Sequence, residues 1–190
     1  MKEKKSTIVL CICGSSCSFQ KMLYPVEKLV EKFNIIPCLS ANATVKNRFV
    51  EINEFKKKLI ELTGNDIITT IAGAELLSSR KEIVASVVFP ATGNTIAKLA
   101  NGVTDSAATM AVKALLRNSK PCVMAISTND GLSGNAENIG RLLNRKHYYF
   151  VPFSQDDAKN KPYSLVCDFN KVSMTLEKAL HGEQVQPILL

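Results

Sequence analysis

Four nearly uninterrupted apolar runs constrain this chain more than any other feature of it. Thr7–Cys13 (TIVLCIC), Ile35–Leu39, Ile83–Phe89 (IVASVVF) and Pro121–Ile126 (PCVMAI) lack the in–out alternation of a half-buried strand. A continuous apolar run of that length suits a strand covered on both faces, as in a parallel sheet. Each run ends in small or polar residues and is followed by a segment with helical spacing. Ile67–Ile71 and Tyr148–Val151 read as two further short strands. Strands alternating with helices over short connections predict a doubly wound parallel α/β sheet, here as a single domain over residues 1–190.

The intervening segments support this. Leu23, Val26, Val30 and Phe33 are spaced as the inward stripe of a first helix. Glu51–Thr63 carries Ile52, Phe55, Leu59 and Leu62 on one face and stops at Gly64. Ala74–Arg80 reads as a connecting turn or short helix. Asn94–Ala100 and Thr104–Leu116 read as two helices broken at Gly102, the second capped by Thr104 or Asp105. Asn135–Arg145 and Val172–Leu180 complete the set, with Gln155–Asp157 and Lys159–Pro162 between them as a polar loop.

Charge and cysteine content exclude several classes. The formal net charge of +7 comes mostly from dispersed lysines, without the clustered arginines and aromatics of a nucleic-acid surface. No run approaches the roughly 20 apolar residues of a membrane span. Lys2–Lys5 followed by Ile8–Cys13 imitates a signal peptide but leads straight into a turn and a helix, so the expected location is cytoplasmic. The six cysteines follow no disulfide or metal-ligand spacing, and no metal is expected. Cys17 has two readings: a reactive thiol near a helix N-terminus, or a packed cysteine whose pKa a neighbouring phosphate would raise.

Gly14–Ser16, Ser40–Asn42, Pro90–Thr95 and Ser127–Asp130 all fall at strand carboxyl ends, where open parallel sheets bind ligands. The glycine-serine turn at Gly14 suits a phosphate, although many phosphate-free turns share it. Ser40–Asn42 faces the same crevice or caps the next segment. GxxxxGK[ST] and GxGxxG are absent, and no acidic residue follows the second strand to hold a ribose diol. Pro90–Met110 (PATGNTIAKLANGVTDSAATM) keeps its side chains small, leaving room for something flat against the backbone. His147 and His181, the only histidines, open a strand and close a helix away from these turns. Many amides and hydroxyls with few titratable groups suggest that a bound cofactor carries the chemistry.

PATGNTIAKLANGVTDS resembles the PASANT-type motif of the flavoprotein family that includes FMN-dependent decarboxylases and flavin prenyltransferases. The resemblance implies a Rossmann-like or flavodoxin-like sheet and an FMN cofactor. It implies that Gly14, Ser15, Ser16, Ser40 and Asn42 hold phosphate and ribityl groups. Thr92, Gly93, Asn94 and Thr95 would line the ring and substrate, with Ser106 meeting the cofactor from the following helix.

GSSCSF, AISTNDGL, NIGRLL, YFVPFSQDD and LHGEQVQPI resemble one branch of that family. Members of that branch act with a separate chain, itself similar to NAD(P)-dependent dehydrogenases, in oxidising a cyclic dicarboxylate of the lysine pathway to the endospore compound dipicolinate. The implied protein is a homo-oligomeric oxidoreductase of the sporulating bacterial cytoplasm, working with that partner chain. Hydride would pass to flavin N5, and Asn94 would orient a substrate carboxylate. Two alternatives stand beside it, a decarboxylase-type lyase and a non-catalytic flavin- or substrate-binding accessory protein. The decarboxylase pattern fails twice: no histidine occurs between Asn34 and Pro90, and Ile126–Asn129 replaces the PAMN-type motif.

Overall fold

A computed structural model describes residues 5–14, 19–45 and 51–190. The apolar runs become β1 (Thr7–Ile12), β2 (Asn34–Leu39), β3 (Ile83–Ala91) and β4 (Cys122–Thr128), joined by the short β5 (Tyr148–Phe150). Their order across the sheet is β2-β1-β3-β4-β5, all parallel. That is the flavodoxin-like order, in which the chain reverses direction of growth beside β1 and β3 and opens a crevice there. Every residue of β1 is buried, as its unbroken apolar run requires.

Two groups of helices flank the sheet. α1 (Phe19–Lys32) packs on α2 (Ile52–Thr63) and α7 (Val172–Leu180), with the Phe19 and Phe55 rings stacked at 4.6 Å. α4 (Gly93–Ala100) packs on α5 (Ala107–Leu116) and α6 (Ala136–Leu143), and α5 also touches α3 (Ile71–Glu75). Gly64 ends α2 in the left-handed region, where a side chain would be strained.

Four expectations change. The buried stripe of α1 is Phe19, Met22, Val26 and Leu29, continued by Phe33, while Leu23 and Val30 are only partly covered. Ile67–Ile71 is no strand: Ile68 makes one isolated bridge to Cys38, and Thr70 then caps α3 by accepting from the Gly73 amide. α5 is capped by Ser106, not Thr104 or Asp105, because Ser106 and Thr109 form a reciprocal capping box. The expected polar loop after Pro152 is a hairpin, β6 (Phe153–Asp157) and β7 (Lys161–Cys167). Its turn is closed by the Asp157 carboxylate, which accepts from the Lys159 and Asn160 amides. β7 pairs antiparallel with Ser127 and Thr128, so the hairpin stands against the carboxyl end of β4. Among the described residues, no helix is long and apolar enough to cross a membrane.

Candidate functional site

Two adjoining cavities open at the carboxyl ends of β1, β2, β3 and β4, about 580 Å³ and 280 Å³ in volume. Gly14, Thr92 and Asn94 line both, so the turn after β1 and the start of α4 form a shared wall. The smaller cavity also takes Ser40, Asn42, Thr95 and Ser106, and Gly93 faces the larger one. The structure therefore brings together Gly14, Ser40, Asn42, Thr92, Gly93, Asn94, Thr95 and Ser106. Ser15, Ser16 and Cys17 lie outside the described residues.

Backbone geometry explains this gathering. A Cβ on Gly14 would sit 3.1 Å from that of Asn42, so a side chain there would push the turns after β1 and β2 apart by a few tenths of an ångström. The Thr92 and Thr95 hydroxyls share a hydrogen bond of 3.2 Å across the first turn of α4. Behind them, Thr95 hydrogen-bonds the buried Cys13 thiol. Burial dominates and pushes that thiol up to about 12, so Cys13 stays uncharged in the core behind them.

Sequence reasoning missed the cation of the smaller cavity. Lys98 lines it, with its ammonium 2.9 Å from the Asp105 carboxylate. One local signal existed: Lys98 follows Asn94 by four residues, which puts both on one face of α4. Ser106 contributes while capping α5, its hydroxyl accepting from the Thr109 amide at 3.2 Å.

The larger cavity is walled by Ser127–Asp130 and by the β6–β7 hairpin. Thr128 accepts from the Gly93 amide at 3.0 Å and donates to Asp130 Oδ1 at 2.5 Å. Asn135 donates to the other Asp130 oxygen at 2.7 Å. Lys21 from α1 and Lys161 from β7 also line this cavity, the latter 2.6 Å from Asp156. Lys21 and Lys161 carry no local mark, the one being a single lysine in a helical segment and the other part of a segment that reads as a polar loop. Neither histidine lines either cavity. Among the described residues, the smaller cavity is thus a hydroxyl- and amide-lined recess with one cation, suited to an anionic group. The larger one has room for a ring and a second small molecule.

This fold and crevice define a class, and the chain belongs to the Flavoprotein family, which it matches over residues 1–181. The chain is 41% identical over 181 residues to the dipicolinate synthase B-subunit of Bacillus subtilis (strain 168), a match that spans 94% of this chain and 90% of that one. The crystal structure of the dipicolinate synthase B-subunit from Bacillus halodurans C superposes with a TM-score of 0.90 at 37% identity, over 100% of this chain and 98% of that one. The FMN-dependent cysteine decarboxylase TvaF, at 22% identity, has a TM-score of 0.65 over 92% of this chain and 98% of its own, a likeness of fold alone.

Proposed function

We propose that residues 1–190 form one flavoprotein-type domain that binds FMN and acts as the B-subunit of dipicolinate synthase. It works with a separate chain, the A-subunit of dipicolinate synthase, in oxidising a dihydrodipicolinate-like intermediate of the lysine pathway to dipicolinate. The single observation that carries this is the pair of adjoining cavities sharing Gly14, Thr92 and Asn94, in a chain of this family.

The residues suit FMN. Ser40, Asn42, Ser106 and Lys98 would hold its phosphate and ribityl chain in the smaller cavity, where the one carboxylate among the described residues, Asp105, is neutralised by Lys98. Gly14 would stand with them at the phosphate and ribityl chain, and Thr92, Gly93 and Thr95 would border the ring. Bound FMN supplies a two-electron acceptor for a hydride. This chain's part is to orient and enclose the substrate. Asn94, exposed at the shared wall, would donate to one carboxylate of a small dicarboxylate, and the other would lie toward Lys21 in the larger cavity, where Lys161 is paired with Asp156. Decarboxylation of the kind named for TvaF is disfavoured here by cavities that no histidine lines.

The reading extends to a homo-oligomer in the cytoplasm of a sporulating bacterial cell.

Two measurements test this. Purified protein, reconstituted with FMN, should show a flavin absorption spectrum; a colourless protein that takes up no FMN would sink the cofactor reading. Dipicolinate formation should need both chains, and full activity of the A-subunit alone would reduce this chain to an accessory.

A further inference from the structure

AISTNDGL walls the larger cavity and NIGRLL lies outside both cavities, and the structure gives the two motifs a common role. Asp130 uses its backbone carbonyl for its own turn, accepting from the Ser133 and Asn135 amides at 3.1 Å each. Its carboxylate reaches elsewhere: one oxygen to Thr128 and through it to the Gly93 amide, the other to Asn135. A Cβ on Gly93 would collide with Asp130 Oδ1 and lie 2.5 Å from Asn135 Nδ2 and 2.8 Å from Thr128 Oγ1. These three side chains hold one another by hydrogen bonds, so a methyl at position 93 must displace at least one of them and break the cluster.

The same segment grips the opposite end of α4. Arg145 donates to the carbonyls of Leu99 and Ala100 at 3.1 and 2.7 Å, and Arg141 to the Asn101 side chain at 2.7 Å. Cations on the terminal carbonyls of a helix also complement its dipole. Helix α4 is therefore clamped at both ends by groups from β4, α6 and the turns that follow them. It carries Thr92 at its N-cap and Asn94, Thr95 and Lys98 within it, the residues that line the two cavities.

We propose that Asp130 is a positioning residue that sets the first turn of α4 against both cavities, and that positions 93 and 130 are coupled: the carboxylate requires the glycine. The inference rests on the FMN reading only for what that turn binds. The coupling itself belongs to this chain.

The test uses the full chain and two readouts, thermal unfolding without FMN and FMN affinity by quenching of flavin fluorescence. Gly93→Ala should lower the unfolding midpoint by about 3–8 °C, as overpacking in a domain of this size does. In an Asp130→Ala background the same exchange should lower it by less than half as much, since the Thr128 hydroxyl and the Asn135 amide, no longer held by the carboxylate, can both give way to the methyl. Asp130→Asn, which leaves one acceptor oxygen for both the Thr128 hydroxyl and the Asn135 amide, should weaken FMN binding about tenfold, the factor expected for one lost charge-assisted hydrogen bond. The reciprocal exchange Asp130→Asn with Asn135→Asp restores the donor–acceptor pairing and should return the affinity to within about twofold of wild type. Equal cost of Gly93→Ala in both backgrounds overturns the coupling. Unchanged FMN affinity in Asp130→Asn, or no recovery on the reciprocal exchange, overturns the positioning role. A wild-type protein that binds no FMN overturns the cofactor reading instead, and the thermal comparison then decides the coupling alone.

Discussion

Lys98 Nζ lies 2.9 Å from the Asp105 carboxylate, an ion pair across the rim of the smaller cavity. Both side chains are partly exposed, so the pair adds little to stability, on the order of 1 kcal/mol or less. Its place beside Ser40, Asn42 and Ser106 is better explained by an anion that the ammonium would hold.

Lys98→Met should therefore weaken FMN about tenfold while leaving riboflavin, which lacks the phosphate, nearly unaffected. Asp105→Asn frees the ammonium and should keep or tighten FMN binding. Fluorescence titration of both flavins against both variants decides it; equal losses for FMN and riboflavin would remove Lys98 from the phosphate.

Asn94 is exposed at the wall common to both cavities. Asn94→Ala should change stability by less than about 0.5 kcal/mol, as surface substitutions do. With the A-subunit present, kcat/KM for dipicolinate formation should fall about tenfold or more, the loss of one hydrogen bond to a charged group. Wild-type turnover in this variant would take Asn94 out of the reaction.

Gly131 touches the hairpin wall: a Cβ there would lie 2.7 Å from both Cγ and Cδ1 of Leu165. Gly131→Ala should cost about 1–3 kcal/mol in urea denaturation, and Leu165→Ala in the same chain should recover part of it. Such recovery would place the coupling between the turn after β4 and the hairpin.

The buried thiols predict an alkaline limit. Burial pushes Cys13 and Cys122 from 9.0 up to about 12 in the folded chain. Their raised folded values mean that the stability they contribute is fully present below pH 9 and is lost as pH rises from there toward 12, because the unfolded chain gives up its protons first. Denaturation midpoints should fall over that window, and Cys122→Ala should flatten the fall. Iodoacetamide should label neither thiol at neutral pH until the chain unfolds.

The sheet was legible because burial on both faces leaves a local record, an apolar run without alternation, and the four runs became β1, β2, β3 and β4. The strand-end turns were legible for the same reason, and Gly14, Ser40, Asn42, Thr92, Asn94 and Ser106 do meet. The hairpin was not. Lys161 to Tyr163 are exposed and polar or half-apolar, and only pairing of β7 with the end of β4 makes them strand.

What the sequence alone determined, then, is which segments are strands buried in a parallel sheet and which turns gather at one edge of it, since both follow from short-range periodicity. Tertiary structure decided what stands opposite those turns. Lys21 and Lys161 reach the larger cavity from separate elements, and the contacts that crowd Gly93 join residues far apart in the chain. Local pattern carries no information about such a meeting; it is fixed only when the helices and the hairpin pack.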